Sequence, residues 1–432
     1  MPHAKVTVTA EAIDTWGAGM SSDARPSPGQ GGGWSRRRFV GVLAGAAAVT
    51  TVPAPAAPGT VPSGATPAPA APAPTAARSP AHGSRPGPRP LFLGTYTSVD
   101  GGGTGIGIAS YDPTTGRVTG VGTVTGVGDP SYLAPHPDGR TLYAVDERED
   151  GGVTALRLRA GGQKPSVLGT RSTGGAGPCH LSVHPSGRWL LSANYGSGSV
   201  AVHPIDASGA LGERTDLVTH SGPAPGPGQQ GPHAHQFITG PDGDHVLAVD
   251  LGTDTVYTYR LDRSRGTLAE VSQAHTRPGA GPRHLTFHPD GRHAYLANEV
   301  DNTVAVCGYD PATGRLTVGD PQSTGTGEGT SYPAQILVTA NGAYAYLANR
   351  GHNSLTRYAV EADGARLRLL DTVPVGGDFP RHIAFSPDGR LLFAANQRSG
   401  TVSVFQVDAA DGGLRLAGEP FASPVAVCAL PL

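Results

Sequence analysis

GPRHLTFHPDGRHAYLANE, residues 281–299, reads as a hairpin: two runs of alternating apolar and polar residues on either side of a Pro-Asp-Gly turn. The pattern recurs. FPRHIAFSPDGRLLFAANQ fills residues 379–397, and six turn dipeptides fall into line: Asp138-Gly139, Ser186-Gly187, Asp242-Gly243, Asp290-Gly291, Asn341-Gly342 and Asp388-Gly389. They stand 48, 56, 48, 51 and 47 residues apart. A near-constant period built of strands predicts an all-β propeller, since a sandwich requires no fixed period.

Downstream of the hairpin, TVAVCGYD and RLTVGD supply two further strands, so each unit makes one four-stranded blade. Inner strands open at Pro130, Pro178, Pro282, Pro333, Pro380 and Pro424, with HAHQFITG at 233–240 in the same slot, which makes seven. The last of them, PVAVCAL, runs out of chain, whereas LFLGTYT, GIGIASYD and GRVTGVGTV at the front have no inner partner. Joining the two ends predicts a seven-bladed β-propeller over residues 91–432, closed by the C-terminal strand so that no sheet edge is left open.

The rest of the chain reads differently. Of 432 residues, 64 are Gly and 40 are Pro, and the prolines crowd into a Pro/Ala-rich linker at 57–90 that is expected to be disordered. Before it, SRRRFVGVLAGAAAVTTV at 35–52 joins a cationic segment to an apolar run too short to span a bilayer. With Ala54-Pro55-Ala56 as a small-residue cleavage site, residues 1–56 are expected to be a leader carrying a twin-arginine-like signal peptide. Export to the cell envelope or beyond follows, without stable membrane insertion.

A formal charge of −2 offers no basic field for a nucleic acid, and no run of like charge appears. Cys179, Cys307 and Cys428 are too scattered for a disulfide framework or a zinc site and are expected to be small core residues. No CxxCH haem motif occurs. A monomer is expected.

In an antiparallel hairpin the start of one strand lies beside the end of the next. Residues seven before each turn and eight or nine after it therefore form rings around one mouth of the channel. The first ring reads Ser131, Cys179, His235, Arg283, Ala334, Arg381 and Val425, followed one position on by Tyr132, His180, Gln236, His284, Gln335, His382 and Ala426. The second reads Asp146, Asn194, Asp250, Asn298, Asn349, Asn396 and Thr95, followed by Glu147, Tyr195, Leu251, Glu299, Arg350, Gln397 and Tyr96. The recurrent Asn/Asp set is expected to hold main chain, and His136, His184 and His288, in repeated turns at the far end, are expected to be structural. His235, Arg283, Glu299, Arg350 and Arg381 depart from the repeat and converge on one side of the ring, as a site for an anionic small molecule would require.

These runs, together with PCHLSVHPSGRWLLSANYGSGSV and YLANRGHNSL, resemble the seven-bladed lactonase family that includes the propeller-type 6-phosphogluconolactonases and a fungal carboxymuconate cyclase. The resemblance implies hydrolytic ring opening of a small lactone, with His235 of HAH, Arg283 of GPRH, Glu299 of ANE and Arg350 of ANRG as the catalytic set. Ring opening needs a base for water and cations for the oxyanion. His235, as an ordinary imidazole titrating near neutrality, is the expected base or acid, with Arg283 and Arg350 holding a carboxylate or phosphate and the developing oxyanion, and Glu299 orienting one arginine or assisting proton transfer. His284, Arg381 and His180 are the expected substrate contacts. No cofactor or metal is called for; His180, His233, His235 and His284 form the grouping that would argue otherwise. The alternatives are a secreted propeller that binds a ligand or partner without turnover, or a muconate-type cyclase.

Overall fold

The computed structural model describes residues 87–432 apart from 160–163, 223–225, 227–228 and 328. The expected leader, the expected signal peptide and most of the expected linker lie outside the described residues. Among these there is a single short 3-10 turn, Ala362–Gly364, and no helix long and apolar enough to cross a membrane.

Seven antiparallel sheets are present, each consecutive along the chain except the one that joins its two ends. We number the blades by their inner strands: Leu133–Pro135 (blade 1), Pro178–Val183 (2), Ala234–Thr239 (3), Pro282–Phe287 (4), Tyr332–Val338 (5), Pro380–Phe385 (6) and Ala426–Pro431 (7). In blade 7 the C-terminal strand pairs with Arg89–Thr95, Leu91 opposite Pro431 and Gly94 opposite Cys428. The ring is thus closed as expected, and its first strand starts at Arg89, two residues inside the stretch assigned to the linker.

Side chains alternate between the faces of each sheet, and both faces are covered by neighbouring blades. Trp189 and Leu191 point into the gap between blades 2 and 3, while Leu190 between them points into the gap between blades 1 and 2. Each of the seven gaps carries its own apolar cluster.

The turn glycine of every repeat adopts left-handed backbone, from φ 68 at Gly139 and Gly291 to φ 73 at Gly243 and Gly342, a conformation open to glycine without a Cβ penalty. The turn histidines have the structural role expected. The Nε2 of His136 lies 2.8 Å from the Gly187 carbonyl, that of His184 2.9 Å from Gly243, and that of His288 3.3 Å from Gly342, so each fastens its turn to the next blade's.

Candidate active site

Each inner hairpin ends at the same mouth, and a β-bulge sits there. The register slips between Pro178 and His180, Ala234 and Gln236, Pro282 and His284, and Pro380 and His382. The extra residues are Cys179, His235, Arg283 and Arg381. A bulge re-aims the side chain it adds, and these four all line a hollow of about 230 Å³, with Ser131, Tyr132, His284, His382 and Val427. The returning strand is anchored alongside: Glu299 N–H donates to Gly281 O at 2.7 Å, and Glu147 N–H to Asp129 O at 3.1 Å. A second hollow of about 270 Å³ is lined by Glu147, Cys179, Tyr195, His235, Glu299, Arg350 and Arg381. Cys179, His235 and Arg381 belong to both.

The charged groups form two units. Glu299 Oε2 lies 2.9 Å from Arg283 Nε and 2.5 Å from Arg350 Nη2. Arg283 is misaligned for a hydrogen bond to that oxygen, so the contact is coulombic, and its buried Nη1 has no partner. Arg350 is steadied by Nε and Nη2 donating to the carbonyls of Tyr332 and Pro333, both at 3.3 Å. In the second unit, Tyr96 Oη donates to Glu147 Oε2 at 3.0 Å, and Arg381 Nη2 donates to Glu147 Oε1 at 3.4 Å.

The two carboxyls are pushed apart. Burial raises both, but at Glu299 Arg350 and Arg283 together overcome it and the carboxyl is held below its usual range. At Glu147 burial outweighs Arg381, and the carboxyl is raised. Burial and the crowding of Arg350 push the Arg283 guanidinium down to about 9.

The histidines divide too. His180, His382 and the glutamines of the same ring brace neighbouring strands: His180 Nδ1 accepts from Phe237 N–H at 3.4 Å, His382 Nδ1 from Ala429 N–H at 3.3 Å, and Gln236 Oε1 from Leu285 N–H at 2.7 Å. His180, expected as a substrate contact, lines neither hollow; its ring packs at a tilt against Tyr132, with centroids 4.3 Å apart. His284 breaks the pattern, for both its ring nitrogens are buried without a partner, and the Nδ1 of His235 is likewise free. The two rings meet edge to face at 5.0 Å. Burial, then the charge of Arg283, hold both well below the usual imidazole range. His235 therefore does not titrate near neutrality, contrary to the expectation.

Two further expectations are revised and a third, that of buried cysteines, is met. The ring asparagines bond hydroxyls of the third strand rather than main chain, as Asn298 Nδ2 does to Thr303 Oγ1 at 3.0 Å; Asp250 alone takes several backbone N–H groups, those of His233, Gly252 and Thr253. Val427 rather than Val425 or Ala426 reaches the hollow, because Val425 adopts φ 42 and the register slips at Gly94/Thr95. All three cysteines are free and buried, but Cys179 is wall as well as core, its thiol raised by burial.

Among the described residues, one His/Asp group has its ligand atoms within 4.8 Å of one another: His288, Asp290 and His293, in the far-end turn of blade 4. Those atoms already engage each other, His293 Nδ1 being 2.6 Å from Asp290 Oδ2. The channel histidines are not grouped in this way.

Residues 90–431 match the family model described as "Lactonase, 7-bladed beta-propeller". The 6-phosphogluconolactonase of Bacillus subtilis is 33% identical over 340 residues, covering 78% of this chain and 96% of that protein. Among solved structures, the periplasmic gluconolactonase of Pseudomonas aeruginosa is 30% identical, with a TM-score of 0.75 over 80% of this chain and 99% of that one. A Lactobacillus plantarum protein is 34% identical, with a TM-score of 0.75 over 80% and 99%.

Proposed function

Since the chain belongs to the lactonase family of seven-bladed β-propellers, we propose that it opens a small anionic lactone by hydrolysis at the mouth that gathers Arg283, Glu299 and Arg350. The observation that carries this reading is a set of buried polar groups without a protein partner, the Arg283 guanidinium and one N–H of the neutral His284 ring among them as donors. Arg283 Nη1, His235 Nδ1 and both ring nitrogens of His284 lie unpartnered, and Arg283, His235 and His284 line one hollow. Such groups are costly to bury unless a ligand completes them. An oxyanion would accept from the N–H donors of this set, and the water-poor setting strengthens its stabilisation.

Three arginines face two carboxylates in the combined hollows, which leaves positive charge for an anionic ligand. Arg283 and Arg350 are the groups to hold that anion or the carbonyl oxygen as it becomes an oxyanion. Glu299, kept ionised by them, holds both guanidinium groups in place by its charge. His235, kept neutral by burial, orients water or the carbonyl by hydrogen bonding instead of storing a proton. Arg381 and His284 contact the remainder of the substrate.

The periplasmic name of the Pseudomonas aeruginosa neighbour supports export of this chain as well, with Arg36–Arg38 as its address. The test is acid release from neutral, carboxylated and phosphorylated sugar lactones, for wild type and Arg283→Gln. Turnover lost in the variant supports the reading; no turnover by wild type of any lactone favours a binding propeller.

A further inference from the structure

The second ring carries an acidic residue after its Asn/Asp position in only two blades, Glu147 in blade 1 and Glu299 in blade 4. They come from well-separated blades yet line one hollow together with His235, Arg350 and Arg381. Glu299 is committed to two guanidinium groups through one oxygen. Glu147 is bound less tightly: its one arginine contact is 3.4 Å long and its other contacts are neutral hydroxyls, those of Tyr96 and Ser131. Its side chain is only 3% exposed.

From this geometry we infer that Glu147 is the acid–base group of the ring opening, taking the proton of the attacking water and returning it to the ring oxygen. The inference rests on the lactonase reading above. As water oxygen bonds to the carbonyl carbon, the carbonyl π pair moves to oxygen and the water proton passes to the Glu147 carboxylate. As the oxyanion collapses, the acyl carbon to ring oxygen bond breaks, and the proton moves from Glu147 to that oxygen. The product is a hydroxy acid, and Glu147 ends as it began.

A shuttle works best with a proton affinity near the operating pH, and two carboxyls with opposed shifts divide such roles. The groups facing Glu147 are Arg381 of blade 6, Tyr96 of blade 7, Cys179 of blade 2, and Ser131 and Asp129 in the segment opening blade 1. Asp129 is occupied by the N–H and hydroxyl groups of Thr97 and Ser98. Burial raises the carboxyl, Arg381 opposes and Asp129 adds to the rise.

The test uses the full chain: pH profiles of kcat and KM for wild type, Glu147→Gln, Glu147→Asp and Tyr96→Phe, on whichever lactone wild type opens. Wild type should gain activity with rising pH along one limb. Glu147→Gln should lose about 10²- to 10⁴-fold in kcat, with KM within a few-fold, and lose that limb. Tyr96→Phe, which keeps the carboxyl, should shift the limb without abolishing it, and Glu147→Asp should retain it at a lower rate. Retained kcat in Glu147→Gln, or a lowered kcat with the limb unchanged, would overturn the assignment while leaving the lactonase reading intact. A wild type inactive on every lactone would overturn both, and an unchanged melting temperature shows that Glu147→Gln is folded.

Discussion

Glu299 illustrates how a few atoms set the character of this site. One carboxylate oxygen faces two guanidinium groups, so removing its charge while keeping its shape, as in Glu299→Gln, leaves Arg283 and Arg350 repelling each other in a buried place. Turnover should fall by about 10²-fold or more, with KM raised as the anion clamp loosens; an unchanged kcat/KM would remove Glu299 from the site. The histidines give a second prediction, on stability. Burial holds His180 and His382 down at about 3, against 6.5 for an ordinary imidazole. Folded values below unfolded ones mean that the unfolded chain binds more protons between these limits. Stability is therefore complete above about pH 6.5 and falls on acidification towards 3, by ~1.4 kcal/mol per pH unit for each such group. The Tm of His382→Gln should accordingly fall less steeply with acid than that of wild type; parallel curves would contradict this.

At the scale of the hairpin, the alternation, the Asp-Gly turns and the spacing to both rings are local and so stand in the sequence. The bulge is not, because one extra residue arises from the pairing of two strands and leaves no composition of its own. Ring counting brings Arg283, Glu299, His235, Arg350 and Arg381 to one mouth all the same, since the irregularity recurs at the same place in most of the blades. It could not separate His180, which braces a strand, from His284, which does not, because that difference lies in hydrogen bonds across blades. Glu147 is legible as a ring residue, and its signal is to be acidic where five of the seven blades are not. The turn itself can be tested at Gly389, where φ is 71 and a Cβ would meet nothing within 4 Å. Gly389→Ala should cost about 1–2 kcal/mol from backbone strain alone, read as a lowered denaturation midpoint with lactone opening retained. A neutral result would mean that this turn relaxes to another conformation.

The whole molecule depends on joining its two ends. Arg89–Thr95 is flanked by the last strand on one side and Gly105–Tyr111 on the other, and Cys428 and Leu430 reach into the apolar cluster between blades 7 and 1. Deleting residues 426–432 would expose the edge of blade 7 and open that gap, so the truncated chain should lose its cooperative melting transition and gain a tendency to associate. A truncated ring that melts like wild type would refute closure by this strand. The closed ring also fixes the distance between blades 1 and 4, and with it the separation of Glu147 from Glu299, so rigidity of the scaffold and arrangement of the chemistry are one property. The most direct measurement is the initial rate of acid release from a lactone panel by wild type beside Arg283→Gln. The account predicts turnover of at least one lactone that falls by about 10²-fold or more in the variant, and equal rates from the two proteins would contradict it.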